Sequence, residues 1–161
     1  MLSCCDAAFS LRRPLLPALS IAGNQPAKLL FFSDVILLSL AKMKKKILVV
    51  ESDRDIREII SYILKEEGYE PILCNPEADI IQMIQLNEPA AVFLDIMEIT
   101  ERGTELCRVL KAGKQTSHIP VIVLSTHPKI ERVKEICADE VIKKPFDIDV
   151  LMDVLKEQLA A

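Results

Sequence analysis

The sequence predicts an α/β fold, a doubly wound five-stranded parallel sheet with helices on both faces. Short uninterrupted apolar runs recur five times from residue 46 onward, and amphipathic stretches at helical spacing separate them. Strands buried on both faces of a parallel sheet need continuous apolar runs without alternation. Strand and helix units in alternation pack as an open sheet with right-handed crossovers.

The first strand is "ILVV" (47–50), followed by "RDIREIISYILKEE". There Ile56, Ile59, Ile60, Ile63 and Leu64 recur at helical spacing, and Gly68 supplies a stop. "EPILC" (70–74) is the second strand. Asn75 and Pro76 then offer an N-cap and a first-turn proline for a helix over "EADIIQMIQL". "AAVFL" (90–94) is the third strand, and after a loop Leu106, Val109 and Leu110 lie on a helix. "VIVL" (121–124) precedes a short charged helix near "KIERVKEIC". "EVI" (140–142) is the fifth strand, and Asp147 is placed to cap a last helix carrying Ile148, Leu151, Val154, Leu155 and Leu159.

A chain of 161 residues fits one domain with one sizeable core. Residues 1–42 do not share the pattern of the body, and "LLFFSDVILLSLA" is too short and too interrupted to span a bilayer. "KMKKK" follows that run, where a secretory signal would place its charge in front, which argues against export. Residues 1–42 are read as an extension that is disordered or a mis-called start, with translation beginning at Met43. A membrane-surface segment and a targeting peptide are the rival readings. Residues 43–161 carry 16 basic and 22 acidic residues, so a nucleic-acid partner is not expected. Cys4, Cys5, Cys74, Cys107 and Cys137 are odd in number and lack CxxC spacing, which fits reduced cytoplasmic thiols, with Cys107 and Cys137 as small core residues.

In open α/β sheets the functional crevice lies beyond the carboxyl ends of the strands. Glu51, Ser52 and Asp53 follow the first run and Asp95 the third. Ser125 and Thr126 follow the fourth, and Lys143, Lys144 and Pro145 the fifth. Carboxylates, hydroxyls and an ammonium on one sheet edge suit a hard cation and a phosphoryl group. Each has a bland alternative: a helix cap, a turn former, a solvated lysine. Coincidence of four such positions on one edge disfavours those alternatives. No glycine-rich phosphate loop follows the first strand, which excludes nucleotide binding by the Walker or dinucleotide route.

Over residues 45–159 these motifs resemble the receiver domain of two-component response regulators. The resemblance is carried by "ILVVESD", "AAVFLDIM", Gly103 in the following loop, "IPVIVLST" and "VIKKPF". It implies a flavodoxin-like fold in which Asp95 accepts a phosphoryl group from a sensor histidine kinase or phosphotransfer protein. By the same carry-over, Mg²⁺ is held by Glu51, Asp95 and the backbone carbonyl of Met97, with Asp53 or Ser52 as a further candidate. Ser125 bonds one phosphoryl oxygen and Lys144 neutralises another. Beyond self-phosphorylation and slow autodephosphorylation, no dedicated enzyme activity is implied.

The sequence departs from the family pattern in four places. Ser52 stands where a second acid is usual, which predicts a weakened metal site. Val141 replaces an aromatic residue on the fifth strand, Ile99 replaces a proline, and the stretch from Ser125 to Lys144 is a few residues short. The leading expectation is a cytoplasmic, stand-alone receiver without a membrane span, signalling to an unknown downstream protein. The alternative is a pseudo-receiver that docks without phosphoryl chemistry. A small hydrolase or flavodoxin-like enzyme has weak support, because no GxSxG elbow is present.

Overall fold

In the computed structural model, which describes residues 44–161, the five apolar runs form the strands β1 (Lys46–Val50), β2 (Glu70–Cys74), β3 (Ala91–Asp95), β4 (Val121–Ser125) and β5 (Glu140–Lys143). Between and after them lie α1 (Arg54–Glu66), α2 (Ile80–Asn87), α3 (Glu101–Ala112), α4 (Glu131–Ile136) and α5 (Ile148–Ala160). The expectations for residues 1–42 lie outside the described residues.

All pairings are parallel, in the order β2-β1-β3-β4-β5. Neighbouring residues of one strand feed opposite cores, which is why the runs do not alternate. Ile47 and Val49 pack with Phe93, Ile122 and Leu124 against α1 and α5. Leu48 and Val50 pack with Val92, Leu94 and Val123 against α2, α3 and α4. Full burial of a side chain the size of Phe93 contributes about 2 to 3 kcal/mol. With thirteen buried residues of mixed size in one core and sixteen in the other, the sheet is a rigid platform for its loops.

Local chemistry sets the helix ends. Asp53 caps α1, its Oδ1 accepting from the backbone N of Asp55 at 2.8 Å and of Ile56 at 3.1 Å. Gly68, at φ +86°, ends the same helix in the left-handed conformation that glycine adopts without a Cβ penalty.

Several expectations need correction. Asn75 does not cap α2. Its Oδ1 closes a tight turn by accepting from Glu77 N, and Asp79 caps the helix four residues later by accepting from Gln82 N. Gly103 lies in the first turn of α3 rather than in the loop before it. Val109 and Ile148 face outward, because the buried stripes run through Thr104, Cys107 and Leu110 on α3 and through Leu151, Met152 and Leu155 on α5. Asp147 holds the N-cap position of α5, yet its side chain makes no cap hydrogen bond. Cys107 is a core residue as expected, but Cys107 and Cys137 are joined as a disulfide and are not separate thiols.

Candidate functional site

β1 delivers the chain to Glu51, whose side chain is 1% exposed. A carboxylate so buried must be paired and hydrogen-bonded. Its Oε2 lies 2.6 Å from Lys144 Nζ, and its Oε1 accepts from Asp53 N at 3.0 Å and from Ser52 Oγ at 3.4 Å. The Arg57 guanidinium, from the first turns of α1, donates to the Glu51 carbonyl oxygen.

Asp95 is the last residue of β3, two strands from β2 and adjacent to β1 and β4. Its Oδ1 lies 2.8 Å from Lys144 Nζ, and its Oδ2 accepts from Ser52 Oγ at 3.3 Å. Lys144 follows β5, and its backbone N donates to the Ser125 carbonyl at 2.8 Å, which extends the β4–β5 ladder to the site. Burial pulls the Lys144 ammonium toward neutrality. Its hydrogen bonds to Asp95 and Glu51 more than offset that pull, so its pKa is raised above 10.5.

Glu51, Ser52, Asp95 and Lys144 thus form one hydrogen-bonded cluster, at the edge that the sequence picked out. Ser125 stands beside it with its side chain buried, and its Oγ accepts from His127 N at 3.1 Å. Asp53 is not in the cluster, since its carboxylate is turned to the α1 cap. Met97 lines the mouth of the site with an exposed side chain. A hollow of about 480 Å³ opens over Asp95, bounded by Ser52, Pro76, Met97, Thr100 and Arg102. Gly103 borders it too, and a Cβ at that position would come within 2.1 Å of the Glu98 carbonyl oxygen.

Two cations escaped the sequence reading, Arg57 and Arg102. Arg57 stands six residues beyond Glu51 on a helix that starts at once, so its return to the turn was the available signal. Arg102 lies on the first turn of α3, immediately after the loop that leaves Asp95.

The chemical capacity of the cluster follows from its composition. Two carboxylates and a hydroxyl supply oxygen donors, and Mg²⁺ commonly takes only one or two carboxylates while keeping several waters. Among the described residues no group of three or more His, Cys, Asp or Glu is disposed around a cation, so the donor set is at the lean end. Lys144 supplies a fixed positive charge beside Oδ1 of Asp95.

The family model for the response regulator receiver domain matches residues 47–156. Among solved structures, the signal receiver domain of a signal transduction histidine kinase from Syntrophus aciditrophicus is 30% identical with a TM-score of 0.64, and the match covers 72% of this chain and 90% of that one. NtrX from Brucella abortus, solved with ADP, is 33% identical with a TM-score of 0.63, over 73% of this chain and 26% of that longer one. The chemotaxis response regulator CheY4 of Vibrio cholerae shares the fold at 22% identity and a TM-score of 0.63, over 72% of this chain and 99% of that one. The chain belongs to the response regulator receiver domain family. Members of that family generally take a phosphoryl group from a histidine kinase or phosphotransfer protein, bind Mg²⁺ and signal to partner proteins. Among the described residues no helix is long and apolar enough to cross a membrane.

Proposed function

We propose that this receiver accepts a phosphoryl group on Asp95 and signals to a partner protein by a conformational change, in the cytoplasm. The observation that carries the reading is Lys144 Nζ set 2.8 Å from Asp95 Oδ1 on the open side of the sheet. Asp95 acts as the nucleophile. Carboxylate attack on a phosphoryl group must overcome like-charge repulsion, and a lysine beside the attacking oxygen offsets the accumulating charge. Ser125 has a hydroxyl proton free to bond a phosphoryl oxygen, and movement of that side chain would shift the β4–α4 connection that follows it.

Glu51, Asp95, the Ser52 hydroxyl and the Met97 carbonyl would hold Mg²⁺, with reduced affinity because Ser52 brings no charge. Mg²⁺ supplies further neutralisation of the phosphoryl oxygens. Asp53 is left out of this set because its carboxylate is spent on the helix cap.

One feature favours the second reading, a pseudo-receiver that docks without phosphorylation. Lys144 bridges Glu51 and Asp95, so a cation of the chain itself already offsets both carboxylates, and the single Ser52 hydroxyl proton is shared at 3.3 to 3.4 Å between an oxygen of each. Treating residues 43–161 with acetyl phosphate and Mg²⁺, beside Asp95→Asn and Ser52→Asp, separates the two. A mass gain of about 80 Da, for one phosphoryl group, that is absent in Asp95→Asn supports phosphorylation. No gain in the parent, with gain in Ser52→Asp, establishes the pseudo-receiver.

A further inference from the structure

Cys107 stands mid-way along α3 and Cys137 at the carboxyl-terminal cap of α4, 30 residues later. Their sulfurs meet as a disulfide, with Cα atoms 5.8 Å apart, inside the span such a bond requires. Cys107 has no exposure, whereas Cys137 is partly exposed. Cys137 is therefore the more accessible member of the pair.

The elements joined differ in how well they are held otherwise. One turn beyond Cys107, Lys111 Nζ lies 2.8 Å from Asp139 Oδ2, and that oxygen also accepts from Val121 N at 2.7 Å. α3 is thus tied to the starts of β4 and β5 without any help from sulfur. α4 has six residues, no side-chain N-cap and a single buried residue, Val133, and its Lys134 Nζ makes a half-exposed ion pair with Glu140 Oε2 of β5 at 2.7 Å. Helices this short do not hold by themselves in water. An exposed ion pair contributes little, so the sulfur pair is the firmest tie between α4 and α3.

We propose that Cys107 and Cys137 are a reversible redox pair that staples α4 to α3 when oxidised and releases it when reduced. The oxidant is a low-molecular-weight disulfide. The Cys137 thiolate attacks one of its sulfurs, its S–S bond breaks, and the first small thiolate leaves. Cys107 then attacks the Cys137 sulfur of the mixed disulfide, and the second small thiolate leaves. The two protons lost by the protein thiols go to the two leaving thiolates, and two electrons pass to the reagent. Reduction by a small thiol runs the same steps backward. Such exchange suits a compartment that keeps most thiols reduced, where disulfides are transient and regulatory. The proposal does not depend on phosphorylation of Asp95.

The test takes the full 161-residue chain through defined ratios of reduced and oxidised glutathione. Free thiols are then alkylated, peptides mapped, and amide hydrogen exchange followed over residues 131–137. The expected result is a cross-linked Cys107–Cys137 peptide, about 2 Da lighter than its two thiol halves, with exchange in α4 slowed about tenfold in the oxidised protein. Cys137→Ser, a change at the more exposed partner, is expected to fold and to show α4 exchange that no longer follows the glutathione ratio. Alkylation of both cysteines in excess oxidised glutathione would overturn the proposal. So would a cross-link to Cys4, Cys5 or Cys74 instead, or a correct cross-link that leaves α4 exchange unchanged.

Discussion

Lys144 Nζ sits 2.8 Å from Asp95 Oδ1 and, with the same ammonium, 2.6 Å from Glu51 Oε2, so one cation from the end of β5 serves carboxylates from the ends of β3 and β1. Removing it strands two negative charges at positions that are almost fully enclosed.

Lys144→Met is therefore expected to lower the unfolding free energy by about 3 kcal/mol at neutral pH, read by urea denaturation, because breaking a buried pair leaves uncompensated charge. The pH dependence has a definite sign. The folded-state pKa of Lys144 lies above the unfolded value of 10.5. Its stabilisation is complete below 10.5 and is lost as pH rises through the folded value. Above pH 10.5 the stability gap between the parent and Lys144→Met should narrow. A gap that widens there would show that the ammonium is not what the mutation removes.

Ser52→Asp places a carboxylate at the edge of the hollow over Asp95. It is expected to tighten Mg²⁺ binding by at least about tenfold, measured as the shift in melting temperature across a Mg²⁺ titration. Without Mg²⁺ the same variant should be less stable than the parent, since a third acid joins Glu51 and Asp95 against a single lysine. Equal Mg²⁺ responses in variant and parent would mean that position 52 does not face the cation.

Asp53→Ala tests whether that acid serves the helix or the metal. Loss of the α1 cap predicts about 1 kcal/mol of destabilisation. The Mg²⁺ response should stay that of the parent, because Asp53 Oδ1 is committed to the backbone of Asp55 and Ile56. A weakened Mg²⁺ response would place the side chain in the site.

Gly103→Ala forces a methyl group against the Glu98 carbonyl, 2.1 Å from where the new carbon would stand. Backbone must move, since the obstacle is not a flexible side-chain tip. A loss of about 1 to 3 kcal/mol is expected from thermal denaturation. Phosphorylation by acetyl phosphate should also slow, because the displaced loop is the one that leaves Asp95. A variant as stable as the parent would show that the loop between β3 and α3 adapts freely.

The strands were legible because burial on both faces leaves a one-dimensional mark, the uninterrupted apolar run, and the site edge followed from where those runs stop. Less legible was anything set by competition or by distance in the chain. Asn75 and Asp79 both look like caps, and only folding shows that Asn75 is consumed by its own turn while Asp79 starts α2. Val109 matched a helical stripe as well as Cys107 did, and the register of α3 on the sheet decided for Cys107. The partnership of Cys107 with Cys137 spans 30 residues and two elements, beyond any local pattern. At the site, the roles of Asp53 and Ser52 turned on a single residue of offset between strand end and helix start.

The two rims of the sheet bear on how copies of this protein behave when crowded. β2 forms one rim, beginning with Glu70 and with Pro71, which has no N–H to offer an incoming strand, and β5 forms the other with only four residues bounded by Glu140 and Lys143. Charge, proline and brevity are the devices that keep open strands from templating one another. The protein should resist edge-to-edge polymerisation at high concentration, and a binding partner has to read its loops and helices rather than add a strand.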